Sequence, residues 1–217
     1  MKISTLLFFA PFLICATVLA QKYEVSVGAN LIRLDSKPLG SIATSGGADD
    51  DTYFKKVSVE GASLRLTLNS KGYYGHEIGY SYNRSMLNIV TRVTDEDDNE
   101  TVTHHQRKVP VKQFTYNFLM YMMPAGERIR PYITVGATVQ DYGAPNLDEW
   151  THGSSRNYGG NIGAGIKIRM FPHAQFRLDL RQHFVGTPYD LTYEDEQKLS
   201  GGVMKNSSVS AGFGITF

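Results

Sequence analysis

The sequence predicts an all-β fold, an eight-stranded antiparallel up-and-down transmembrane β-barrel. Three observations lead there. Apolar residues recur at every second position in eight separate stretches. Each stretch is roughly 10 to 13 residues long, where strands of soluble proteins average about five or six and a tilted strand crossing a bilayer needs about 9–11. The connections between them alternate between short and long, as in barrels with tight turns at one membrane face and long loops at the other.

The first stretch, "KYEVSVGANLIRL", sets Tyr23, Val25, Val27, Ala29 and Leu31 on one face. In the second, "VSVEGASLRLTL", Ala62, Leu64, Leu66 and Leu68 oppose Ser63, Arg65 and Thr67. The third, "YYGHEIGYSYNRS", opposes Tyr74, His76, Ile78, Tyr80 and Tyr82 to Gly75, Glu77, Gly79 and Ser81. The fourth, "VKQFTYNFLMYM", carries Phe114, Tyr116, Phe118, Met120 and Met122 on its apolar face. The fifth, "RPYITVGATVQ", shows Ile133, Val135, Ala137 and Val139 against Thr134, Gly136 and Thr138. In the sixth, "NYGGNIGAGIKIRM", Ile162, Ala164, Ile166, Ile168 and Met170 oppose Asn161, Gly163, Gly165, Lys167 and Arg169. The seventh, "QFRLDLRQHF", sets Phe176, Leu178 and Leu180 against Arg177, Asp179 and Arg181. The eighth, "SSVSAGFGITF", alternates Val209, Ala211, Phe213 and Ile215 with Ser210, Gly212 and Gly214.

The short turns are "NSKG", "PAGE" and "PHA". Long polar loops follow the odd stretches: Asp35 to about Tyr53, the acidic "TDEDDNETVTHH", Asp141 to Ser155, and Thr187 to Gly202. A β-sandwich would need Greek-key crossovers in place of this up-and-down order.

Alternation alone does not say which face points inward. Charge and glycine on the polar face decide it. Arg65, Glu77, Lys167, Arg169, Arg177, Asp179 and Arg181 stand among Gly75, Gly79, Gly136, Gly163, Gly212 and Gly214. A narrow lumen needs small residues beside long ones, whereas a water-facing surface gains nothing from glycine in mid-strand. The apolar face therefore meets lipid, with tyrosines suited to the headgroup level. Closing the ring pairs every backbone group, with the last strand against the first from Tyr23 onward. Eight strands leave an interior just wide enough for side chains. Glu77 and Asp179 are expected to pair there with Arg65, Lys167, Arg169, Arg177 and Arg181, because unpaired charge in such a space is costly. The lumen would then be plugged and any conductance small.

Residues 1–20 differ from the rest: Lys2, an apolar run from Leu6 to Ile14, then Val18-Leu19-Ala20. This is the layout of a signal peptide cleaved after Ala20, leaving the barrel domain as residues 21–217. Ile14 before Cys15 is not the small residue that lipoprotein processing requires. Losing Lys2 from the 22 basic residues balances them against the 21 acidic ones, so no strong field invites nucleic acid. The exported part has no cysteine, hence no disulfide. Beyond residue 20 no apolar run approaches ~18 residues, so spanning must be done by strands.

With those residues in hand the chain resembles the small eight-stranded outer-membrane barrels: the OmpA transmembrane domain, OmpX-like and opacity-type surface proteins. The pieces that carry the resemblance are "YYGHEIGYSYNR", "IRPYITVGATVQ", "NYGGNIGAGIKIRMFPHAQFRLDLRQHF" and the terminal "AGFGITF". The resemblance implies a cell outer-membrane location, outer-membrane lipid and the barrel-assembly machinery as partners, and a monomer. It makes Phe217 the aromatic that the assembly machinery reads. It does not extend to a peptidoglycan-binding domain.

No catalytic, cofactor or metal site is expected. His183 and Asp179 lie on one strand face but four residues, about 13 Å, apart, too far for a direct dyad. His104-His105 beside Asp95 to Asp98 reads as a solvated acidic loop, not a cation site. "GGNIGAG" lacks the helix and spacing of a nucleotide fingerprint. The expected role is structural or surface interaction through the outer loops, which could meet host or surface ligands. The alternatives are a narrow pore for small solutes and, third, a lipid-modifying enzyme.

Overall fold

The computed structural model describes residues 22–35, 38–43, 49–54, 58–70, 72–94, 100–144, 153–189 and 202–217; the expected signal peptide lies outside them. Eight strands close the barrel: β1 (Lys22–Arg33), β4 (Ser58–Ser70), β5 (Tyr74–Thr94), β6 (Glu100–Tyr121), β7 (Ile129–Tyr142), β8 (Ser155–Arg169), β9 (Ala174–Gly186) and β10 (Val203–Thr216). Two further strands, β2 (Pro38–Ala43) and β3 (Asp49–Phe54), form a hairpin between β1 and β4.

Every pairing is antiparallel. The ring runs β1, β4, β5, β6, β7, β8, β9, β10 and back to β1. The seam is in register from Glu24↔Thr216 to Arg33↔Ser207. It is finished by the Phe217 amide donating to the Tyr23 carbonyl at 2.8 Å, with the reverse bond at 3.2 Å. Two of the tight turns place a glycine at positive φ, Gly72 at 76° and Gly126 at 105°, a conformation only glycine reaches without steric cost.

The apolar faces point outward as the alternation requires. Val27, Leu64, Ile78, Tyr116, Val135, Leu180 and Phe213 are all more than half exposed, or at least 51%. The partners between them, such as Glu24, Thr67, Glu77, Asn117, Lys167 and Asp179, are buried in the lumen.

Two expectations need correction. The stretch from Asp35 to Tyr53 is not a loop throughout, because it contains β2 and β3. Likewise "TDEDDNETVTHH" is largely strand: β5 runs to Thr94 and β6 starts at Glu100, so only 95–99 fall outside the description. β5 and β6 are 21 and 22 residues long and project beyond the barrel as a ribbon. The projecting edge of β5 offers unpaired backbone groups, and β3 takes them, from Asp49↔Arg92 to Phe54↔Leu87. Covering an open edge outweighs the poor strand propensity of Asp49 to Asp51.

The alternation also inverts at the loop end. Val25 to Leu31 face out at odd positions of β1, yet Ile32 and Leu34 face in and are buried. In β6, Phe114 to Met120 face out while Val109 and Val111 face in. Past the apolar band the outside is water, so the interior must supply the apolar core. Ile32, Leu34, Leu39, Leu87, Val109, Val111, Tyr142, Val185, Tyr189 and Met204 form that cluster.

Candidate functional site

The barrel interior is the most densely organised part of the molecule, and it is built in tiers. The middle tier is ionic. β4 supplies Arg65, β5 Glu77, and β9 Arg177, Asp179 and Arg181, each at an inward position of its strand. Arg65 Nη1 donates to Asp179 Oδ2 at 2.6 Å and its Nη2 to Ser210 Oγ at 2.6 Å. Arg177 grips Asp179 with Nε at 2.7 Å and Nη2 at 2.9 Å, and reaches Glu77 through Nη1. Arg181 Nη2 bridges both acids, at 2.7 Å to Glu77 Oε1 and 3.1 Å to Asp179 Oδ1. Tyr132 donates its hydroxyl to Asp179, and Thr67 donates to Glu77 at 3.2 Å. Asp179 and Glu77 are 1% and 0% exposed. Carboxylates so enclosed are tolerable only when their lone pairs are filled by charged donors, as here.

A second tier lies toward the turn end. Lys167 Nζ donates to Glu24 Oε2 at 2.5 Å and to the Tyr121 hydroxyl at 2.9 Å, and that hydroxyl donates to Asn69 at 2.6 Å. The Arg130 guanidinium sits 3.9 Å from the centre of the Tyr121 ring and donates to the Gly72 carbonyl at 2.7 Å. Beyond it a cavity of about 120 Å³ opens at the turn end, with Arg130, Arg169 and Gln175 in its wall.

Six of the seven charges expected from the sequence are connected, all but Arg169, because Glu24 Oε1 lies 3.9 Å from Arg177 Nη1 and so joins the two tiers. Arg65, Glu77, Arg177, Asp179 and Arg181 come together. Lys167 belongs to the lower tier and pairs with Glu24. Arg169 stands at the cavity and makes no ion pair among the described residues. Glu24 was not among the expected residues, although its place between outward Tyr23 and Val25 puts it on the inner face. The inward tyrosines Tyr121, Tyr132 and Tyr142 are hidden by composition, since tyrosine suits the lipid boundary as well as the lumen. Tyr132, next to outward Ile133, is inward by the same period of two.

A third, uncharged tier lies above the ionic one. Gln140 donates to Gln113 at 2.7 Å and accepts from Tyr142 at 2.6 Å and Asn206 at 2.9 Å. His183 Nε2 lies 3.0 Å from Ser208 Oγ and its Nδ1 lies 3.1 Å from Thr138 Oγ1. This Ser–His contact crosses between strands and is invisible in the sequence. It has a threonine hydroxyl where a hydrolytic triad would hold a carboxylate, and His183 is fully buried. The tiers leave little room: the space beside Arg65, Arg181 and Ser208 is about 20 Å³, enough for a water molecule and no more.

Of the double histidine, His104 is exposed on β6 opposite Val90. No group of three or more metal-ligating side chains occurs among the described residues.

The family model described as outer membrane protein beta-barrel domain matches residues 6–217. No curated protein matches. Among solved structures, the chain is similar to Neisserial surface protein A, with a TM-score of 0.55, 10% identity, and coverage of 90% of this chain and 97% of that one. It is similar also to the outer membrane protein AlkL in lipid bilayers, with a TM-score of 0.54, 12% identity, and coverage of 93% and 92%. At such identities the likeness concerns the fold. The filled eight-strand ring, the outward apolar band and the family match over nearly the whole length agree: this chain belongs to the outer membrane protein β-barrel domain family.

Proposed function

We propose that the protein is a non-conducting outer-membrane scaffold that works by surface interaction through its projecting ribbon and loops. The observation that carries this reading is the contrast between the two regions. The lumen holds an ionic tier, a polar tier and an apolar cluster, and the space beside Arg65, Arg181 and Ser208 is only about 20 Å³. The β5–β6 ribbon rises above the barrel, stiffened by the β2–β3 hairpin, and Thr101, Val102, Thr103 and His104 are exposed on it. A rigid platform under an exposed ribbon is the usual arrangement for recognition.

Conductance across planar bilayers tests the closed lumen: the expected trace is flat, and a large stable current would favour a pore for small solutes. Deleting residues 91–103 tests the ribbon. The shortened chain should still assemble in the outer membrane and lose adhesion to cells or matrix, while unchanged adhesion would count against the reading. Partners at assembly are the barrel-assembly machinery and membrane lipid, with the protein acting as a monomer.

A further inference from the structure

The two edges of the outward apolar band differ in charge. At the loop end, the outward residue two positions past Leu31, Tyr82, Phe114 and Tyr158 is Arg33, Arg84, Lys112 and Arg156; past Ala62 and Val139 it is Glu60 and Asp141. At the turn end the outward residues are uncharged: Tyr23, Tyr74, Met122, Ile129, Met170 and Phe217. The outward-facing cations of the wall thus lie at the loop end, while the turn-end cations Arg128, Arg130 and Arg169 line the cavity there.

The cations are densest on β5 and β6. Arg84 stands opposite Pro110 in the register, so Lys108 and Lys112 flank it on the same outward face. All three are exposed, and none makes an ion pair among the described residues. Asp141, opposite Lys112, is held by Arg156 at 3.2 Å. Glu60 neighbours Arg84 one step beyond the Gly61↔Asn83 pair without forming a salt bridge. The Tyr82 ring, 6.0 Å from the Arg84 guanidinium carbon, supports that side chain from below. Directly beneath runs an apolar stripe: Tyr80 and Phe114, with ring centres 4.8 Å apart, then Ile78 and Tyr116, both 53% exposed.

We infer that the outward face of β5 and β6 is a binding site for a phosphate-bearing lipid of the outer leaflet, with Arg84, Lys108 and Lys112 on its phosphates and the Tyr80–Phe114 stripe against its acyl chains. The two parts together select the occupant. Clustered cations at the membrane surface attract anionic headgroups. A soluble polyanion would need only the cations, and a neutral lipid only the stripe.

The test uses the full folded chain in detergent and native mass spectrometry. The probes are diphosphorylated lipid A, its dephosphorylated form, and a soluble sulfated glycan polymer. The wild type should retain diphosphorylated lipid A. Arg84→Ala with Lys108→Ala and Lys112→Ala should weaken that binding on the order of tenfold or more, with heat-modifiable gel migration showing the barrel intact. The milder pair Lys108→Gln and Lys112→Gln should shift it the same way, and Arg33→Ala with Lys205→Ala, across the barrel, should leave it in place. Wild-type affinity in both Arg84-region variants would overturn the site. So would equal retention of the dephosphorylated lipid, or loss of the glycan alone with lipid binding unchanged.

Discussion

Tyr132 lies over Gly165, its cross-strand partner, so closely that a Cβ on the glycine would stand 2.4 Å from the ring. The ring lies in the space the missing side chain leaves, and from there its hydroxyl reaches Asp179. The glycine of β8 thus sets the position of a donor to an acid on β9.

Gly165→Ala should therefore destabilise the folded barrel by about 1–3 kcal/mol, the usual cost of overpacking. Urea titration in detergent, followed by the shift between folded and unfolded gel bands, measures it. The added Cβ would also stand 2.7 Å from the Leu178 carbonyl oxygen, so an unchanged midpoint would mean that both the ring and that backbone give way freely. The control is Gly153→Ala, where an added Cβ meets nothing within 4 Å.

Asp179 accepts from Arg65, Arg177, Arg181 and Tyr132. Asp179→Asn keeps the volume and removes the charge, leaving Arg65 without its carboxylate and Arg177 and Arg181 with Glu77. Breaking a buried ionic cluster from one side costs about 3–5 kcal/mol, so this variant should unfold at markedly lower urea than Asp141→Asn, which loosens only the exposed Arg156 pair. Equal midpoints for the two would show that the ionic tier adds little to stability.

Phe217 is 71% exposed at the turn end, its backbone tied to Tyr23. Phe217→Asp puts a charge at the lipid boundary and removes the terminal aromatic. Outer-membrane levels by immunoblot should fall severalfold, while the purified variant should still refold in detergent. Normal levels in the membrane would remove Phe217 from any role in assembly.

Tyr189 leaves the loop after β9 with a φ of 61°, rare for a residue of its size. It is held by its hydroxyl donating to the Gly143 carbonyl at 2.6 Å and by the Ser155 side chain accepting from its amide at 3.0 Å. Burial pushes its phenol above the ordinary tyrosine value of 10.0. The neutral form is the one stabilised by folding, so its contribution is complete below about pH 10 and is lost as pH rises through the raised value. In an ultraviolet titration the difference between wild type and Tyr189→Phe should arise after the exposed tyrosines have ionised. A difference arising with them would place Tyr189 in water.

Much of this molecule was legible as a pattern of period two. The eight wall strands, their outward residues and the inward positions of Arg65, Glu77, Lys167, Arg177, Asp179 and Arg181 follow from alternation, because a strand has two faces and lipid accepts only one kind of side chain. Alternation carries no information about which inward residues share a level. Lys167 meets Glu24 across 143 positions of sequence, and Arg177 meets Glu77 across 100. Those meetings depend on tilt and stagger around a closed ring. The same holds for the Ser208–His183 contact and for β3, whose three aspartates became strand because an open edge lay beside them. The sequence by itself determined which face each side chain takes. Only ring closure decided which side chains meet, since register is a property of pairs of strands and not of any one of them.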